Sequence, residues 1–314
     1  MPRGKGNRCR TNRALLLLGI INLLLLLALF LLPPRDSLRQ PNSDTPAGDS
    51  ASAQGWRRFW PERPGEVIMG KGRGGRTSGL PLTSGKEERP AREARLALVI
   101  DDVGYNLENL KPLLALPGAI TFAVLPNLPF SEEAARLIIE AGKELLLHCP
   151  MEPVSGQDPG PGALLTSHTP EEIAQILEAN FRTVPAASGM NHHMGSSFTA
   201  DEAAMGAVMS YLKQTEKFYL DSKTTADSVG ARLALQYGVP VLERDVFIDN
   251  ERSPDYMKQS FLEGVKIARS KGFAVLIGHI HSTELKEVLA DIIPGLEEEG
   301  MRFTSLKCLI CGQE

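Results

Sequence analysis

Cysteine is scarce. Four residues in 314, Cys9, Cys149, Cys308 and Cys311, exclude a disulfide-stapled scaffold. Cys149 follows the apolar stretch 145–147 and reads as buried. Cys308 and Cys311 form one C-x-x-C near the C-terminus, without the second pair that a zinc site takes or the following helix that a thioredoxin-like motif takes. Excess charge is equally scarce: 34 Lys and Arg stand against 38 Asp and Glu, a net charge of −4, so the positive footprint of a nucleic-acid-binding protein is missing. No internal repeat is present. Also absent are a G-x-S-x-G elbow, a P-loop and a G-x-G-x-x-G after the first strand, which sets aside the chemistries those motifs carry. The glycine-rich stretch 70–75, GKGRGG, has neither a strand before it nor a helix after it.

Long hydrophobic runs are confined to residues 14–32, broken only by Gly19 and Asn22 and preceded by Arg3, Lys5, Arg8, Arg10 and Arg13. At ~1.5 Å of rise per residue this run is long enough to span a bilayer core. The basic flank predicts that the N-terminus stays cytoplasmic while the rest is exported, so the chain is inner-membrane-anchored or secreted with its domain facing the periplasm or cell exterior. Pro33-Pro34 follows directly, with no small-x-small site beside the run, which favours an uncleaved signal anchor over a cleaved signal peptide. Three segments result. Residues 1–32 are a basic stub and anchor or signal peptide, 33–94 a disordered Pro/Gly/Ser-rich tether, and 95–314 a folded domain.

Within the domain, apolar strands alternate with capped helices. Strands are expected at 96–101, 119–125, 144–147, 187–190, 217–220, 239–241, 245–248, 273–278 and 302–307, with helices between them. Ser131 reads as a helix N-cap, and Thr169-Pro170-Glu171-Glu172 and 199–202 read as capping boxes. This alternation predicts an α/β fold, a distorted (β/α) barrel of seven to eight units.

The candidate functional residues fall at strand ends: Asp101 and Asp102, His148, His193, Asp221, Asp249, His279 and His281. In a parallel barrel those ends share the face that carries active sites. With His192 counted, five of the six histidines belong to this set, and only His168 falls inside a loop. Two histidines and one aspartate suit Zn²⁺ or another divalent transition metal with positions left for water and substrate. A second carboxylate would take the water's proton and a further histidine would protonate the leaving group, the equipment for hydrolysing an amide or ester.

The segments LALVIDDVGYN, TFAVLPNLPFSEEA, ELLLHCPMEP, GPGALLT, NHHMGSSFTAD, FYLDSKTT, VLERDVFIDN and IGHIHS resemble the divergent polysaccharide deacetylase family. Its classical relatives are metal-dependent carbohydrate esterases acting on chitin-like sugars and peptidoglycan. The resemblance implies Asp102, His148 and His193 as metal ligands, Asp101 as catalytic base, and His281 or His279 as catalytic acid. Where the classical enzymes keep a second histidine four residues after the first, this chain has Glu152, the other candidate for third ligand or else a substrate contact. Asn191 is implied beside the substrate, while Asp221 and Asp249 would orient ligands or bind sugar hydroxyls. The implied function is removal of acetyl groups from a cell-envelope polysaccharide. The alternative is a non-catalytic glycan- or protein-binding protein on the same barrel.

Overall fold

The computed structural model describes residues 94–312. The expected membrane anchor and tether lie outside these residues, and among the described residues no helix is long and apolar enough to cross a membrane.

One parallel sheet runs through the domain. In chain order its elements are β1 (Arg95–Val103), α1 (Leu110–Leu114), β2 (Ile120–Val124), α2 (Ser131–Glu140), β3 (Glu144–Met151), α3 (Pro170–Thr183), β4 (Gly189–Met194), α4 (Glu202–Gln214), β5 (Phe218–Asp221), α5 (Gly230–Tyr237), β6 (Val241–Glu243), β7 (Val246–Phe247), α6 (Pro254–Lys271), β8 (Phe273–His279), α7 (Leu285–Glu298), β9 (Arg302–Phe303) and α8 (Leu306–Cys311). The strand order is β6-β5-β4-β3-β2-β1-β8-β7. β6 and β7 are consecutive in sequence yet form the two ends of this path, so the sheet curls into a barrel that stays open at that seam. Short β9 pairs with Arg95 and Leu96 of β1, while β2 first pairs at Leu98.

Side-chain alternation divides the core in two. Leu96, Leu98 and Ile100 of β1 pack outward with Phe122, Leu147 and the helix faces. Ala97 and Val99 point inward with Ala123, Leu146, Leu220, Leu242, Val275 and Ile277. This inner apolar layer is the floor of the site. Two residues further along the strands, period two continues Val99 to Asp101, Leu146 to His148, Leu220 to Ser222 and Ile277 to His279.

Gly189 marks a close approach. A Cβ there would lie 2.5 Å from the Phe218 carbonyl oxygen and 2.7 Å from its ring. Gly189→Ala is therefore expected to destabilise the domain by about 1–3 kcal/mol, read as a lowered midpoint in urea at unchanged slope.

Several local expectations changed. The Thr169 capping box is present, with Glu172 N–H donating to Thr169 Oγ1 and Thr169 N–H to the Glu172 carboxylate. Ser131 instead starts its helix from within, its hydroxyl donating to the Leu125 carbonyl at 2.5 Å and accepting from Leu128 N–H. Asp201, not Thr199, caps α4. The expected strand 302–307 stops at Phe303, and Ser305 caps α8. Leu306, Leu309 and Ile310 of that helix pack on the inner apolar layer, while Glu144 accepts from the Leu306 and Lys307 amides. Cys308 and Cys311 sit on α8 as free thiols.

Candidate active site

The first strand has to present two adjacent carboxylates to one place, although neighbours on a regular strand point to opposite faces. Its pairing with β2 slips between Ile100 and Val103, and Asp102 takes φ +64°, a left-handed conformation that non-glycine residues adopt at a cost. The irregularity leaves Asp101 pointing inward, 2% exposed, and brings Asp102 to the same end of the barrel.

β3 and β4 supply the histidines. Their register places His148 beside Asn191 and Pro150 beside His193. His148 Nε2 lies 3.1 Å and His193 Nδ1 2.8 Å from Asp102 Oδ1, and the two imidazoles meet edge to face with centroids 5.3 Å apart. Asp102, His148 and His193 each offer one ligand atom, all within 4.8 Å of one another. The donor set is one carboxylate oxygen and two imidazole nitrogens, which fits a borderline divalent ion.

The surrounding hydrogen bonds fit the same ion. Asn191 Nδ2 donates to both Asp101 oxygens at 2.8 and 3.0 Å, which turns its carbonyl oxygen to accept from His148 Nδ1–H at 2.8 Å. A neutral His148 with its proton on Nδ1 aims the Nε2 lone pair at a carboxylate, so a cation between them is needed, a proton or a metal. In the metal-free site burial disfavours a charged His148, yet Asp101 and Asp102 push its pKa up. Against burial, hydrogen bonds from His148, His193 and His281 hold Asp102 well below the ordinary carboxylate range.

Asp101 behaves in the opposite way. Burial pushes its pKa up against the attraction of His148 and His279. His279 is its neighbour in register on β8. Asp249 accepts from the His279 amide at 2.8 Å, from His279 Nδ1–H at 2.9 Å and from the Ser282 hydroxyl. Burial opposes a charged His279, but the hydrogen bond to Asp249 and the charges of Asp101, Asp249 and Asp102 together outweigh it, and the pKa is pushed up to about 9. Phe247 stacks on the His279 ring at 5.6 Å and the Arg244 guanidinium covers the Phe247 ring at 3.7 Å, where the barrel is open. His281 lies further out, its side chain 52% exposed and Nδ1 3.4 Å from Asp102 Oδ2.

The structure thus gathers Asp101, Asp102, His148, His193, Asn191, His279, Asp249 and His281. It separates two expected members. Asp221 has the parity of Tyr219, which faces the helices, and it pairs there with His192, Nε2 to Oδ1 3.2 Å. The hydroxyl of Ser228 and the amide of Lys223 also donate to Asp221, so it orients His192 and does not face the cluster. Ser222, one residue on, faces inward and its hydroxyl accepts from Asn191 Nδ2 at 3.3 Å. Glu152 is turned onto Thr166, accepting from its amide and hydroxyl at 2.7 Å each. It closes the base of the loop 150–168 and is not in the ligand group. Asn191, expected beside the substrate, is fully buried between Asp101 and His148. Ser222, Ser282 and Phe247 escaped sequence reading. Counting period two through the strand ends would have picked out Ser222.

Residues 98–310 match the divergent polysaccharide deacetylase profile, and the chain belongs to that family. It is 36% identical over 197 residues to the uncharacterized protein YibQ of Escherichia coli K12, covering 63% of this chain and 62% of that protein. An uncharacterized protein of Haemophilus influenzae Rd is 34% identical over 187 residues, covering 60% of this chain and 67% of the relative. Among solved structures, an uncharacterized protein of Agrobacterium tumefaciens C58 superposes with a TM-score of 0.67 at 21% identity, covering 71% of this chain and 91% of the other. At that identity the likeness is one of fold.

Proposed function

We propose that the domain is a metal-dependent hydrolase that removes acetyl groups from a cell-envelope polysaccharide or peptidoglycan-like glycan, with Zn²⁺ as the resident ion. The observation that carries this reading is the convergence of Asp102, His148 and His193 donor atoms within 4.8 Å, beside one carboxylate with a raised pKa and one histidine with a raised pKa. When bound, the ion supplies Lewis-acid polarisation of a water and of the acetyl carbonyl.

The chain's own residues do the rest. Asp101, fixed by the Asn191 amide, takes the proton of the attacking water as the water oxygen bonds to the acetyl carbon. His279, oriented by Asp249, gives its proton to the leaving nitrogen or oxygen as the old bond breaks, releasing acetate and a free amine or hydroxyl. Of the two histidines expected as acid, His279 has the buried carboxylate partner that keeps it protonated at neutral pH, while half-exposed His281 faces the mouth. The basic segment and apolar run at residues 3–32 support an envelope-facing placement, with the N-terminus on the cytoplasmic side.

Release of acetate from acetylated glycans by the zinc-loaded protein tests the reading. Its kcat/KM is expected to rise with pH as Asp101 loses its proton, through a limb displaced above the ordinary value of 3.8. It should fall again as His279 loses its own proton, above the ordinary histidine value because Asp249 is hydrogen-bonded to the charged ring. His279→Gln should lower turnover by about 10²–10⁴-fold and remove the alkaline limb. Persistence of that limb in the variant would assign the acid to another group.

A further inference from the structure

Asp102, His193 and His281 line a hollow of about 290 Å³ together with Tyr105, Asn106 and Asn109. Tyr105 is 59% exposed, the most exposed aromatic side chain among the described residues. The backbone that carries it is nonetheless held. Gly104 precedes it at φ +135°, where a Cβ would press to 3.3 Å against Leu125, Leu128 and Ser131. The Gly104 carbonyl accepts from Phe130 N–H at 3.1 Å, and the Val103 carbonyl from Leu125 N–H at 2.8 Å. An exposed aromatic ring on a held turn beside a reactive centre has the form of a stacking platform.

The polar groups here are held as well. Asn109 Nδ2 donates to the Ile280 carbonyl at 3.1 Å, tying this turn to the segment that carries His281 and leaving the amide oxygen as an acceptor. Asn106 Oδ1 accepts from the Glu108 amide at 3.1 Å, leaving its NH₂ as donor. Free donors and a free acceptor side by side suit hydroxyl groups, which both donate and accept. No lysine or arginine lines the hollow, so a carboxylate or phosphate carried by a sugar seated on Tyr105, Asn106 and Asn109 would find no guanidinium or ammonium to pair with there. The volume lies at the lower edge of the usual range for ligand pockets, about 300–1,000 Å³, and suits one ring better than a longer chain.

We propose that Tyr105 is the specificity-determining residue of this site, stacking on a neutral pyranose that Asn106 and Asn109 hold by its hydroxyls, and that acidic sugars are disfavoured there. The inference rests on the deacetylase reading and names the sugar that reading takes.

The test is calorimetric titration of the zinc-loaded full chain with two probes: a neutral β-1,4-linked N-acetylglucosamine tetrasaccharide, and a tetrasaccharide with a carboxylate-bearing ether on alternate sugars. The wild type is expected to bind the neutral probe more tightly. Tyr105→Ala should weaken that binding about tenfold, the equivalent of one good aromatic contact, while Tyr105→Trp retains it and zinc content stays unchanged in both. In kinetics the loss should fall on KM with kcat largely kept. Equal affinity of Tyr105→Ala and wild type, preference for the acidic probe, or binding of neither probe would each overturn the subsite. Cleavage of 4-nitrophenyl acetate, too small to need Tyr105, reports on the hydrolase reading separately.

Discussion

Replacing Asp101 with asparagine is expected to lower turnover by about 10²–10⁴-fold, the range for loss of a general base, with fold and metal content intact. The substitution keeps the shape and an oxygen for the Asn191 amide, which donates at 2.8 and 3.0 Å in the native site. It removes the group that accepts the water's proton. The same change should stabilise the metal-free protein at neutral pH. Burial raises the folded pKa of Asp101 above its ordinary 3.8, so the native state favours the protonated carboxyl. That contribution is complete below 3.8 and is lost as pH rises through the folded value. The asparagine has no charge to desolvate, so its unfolding midpoint should exceed that of the wild type at pH ~7, and the difference should close as pH falls below ~4. Undiminished turnover in the variant would remove Asp101 from the mechanism.

Asp102→Ala is expected to have the other large effect, with loss of metal binding and turnover near background. Asp102 is the one carboxylate in the ligand group, and His148, His193 and His281 all turn a nitrogen towards it. Its pKa is held well below the ordinary range by those histidines, against burial. Its stabilising contribution is therefore present above the ordinary 3.8 and lost as pH falls through the lower folded value. The metal-free variant should unfold at lower denaturant than the wild type at neutral pH. Asn191→Ala provides a graded comparison. It removes the group that holds His148 in the Nδ1–H form, so metal affinity should fall by about 10–100-fold, measured by competition with a chelating dye. Equal metal affinity in Asn191→Ala and wild type would mean that the His148 tautomer is set elsewhere.

The arrangement of the barrel was legible in the sequence because most strands are short apolar runs, several ending at a polar residue, and such runs identify buried parallel strands. Asp101, His148 and His279 were legible as site members for the same reason. Asp221 and His192 show the limit of reading strand ends alone. Both end apolar strands, but β5 and β4 turn them towards the helices, and only the neighbours Ser222, Asn191 and His193 face inward. The face depends on period two counted from a known core residue such as Leu220 or Met190. The slip in β1 that sets Asp102 beside Asp101 cannot be counted at all, since it depends on pairing with β2. The terminal helix α8 was missed because Phe303 belongs to a strand of two residues, after which Leu306, Leu309 and Ile310 follow a helical spacing too short to recognise. Glu152, the alternative to His193 as third ligand from its offset to His148, is directed to the loop by the hydrogen bonds from Thr166.

The central claim is that Asp102, His148 and His193 form a metal centre. Elemental analysis of the full chain, purified without chelator, beside His148→Ala tests it most directly. The account predicts about one zinc per wild-type chain, following a three-ligand site with an open position, and its loss in His148→Ala with the far-ultraviolet spectrum unchanged. A wild-type protein that holds no zinc or other transition metal and takes up none when it is supplied would contradict it.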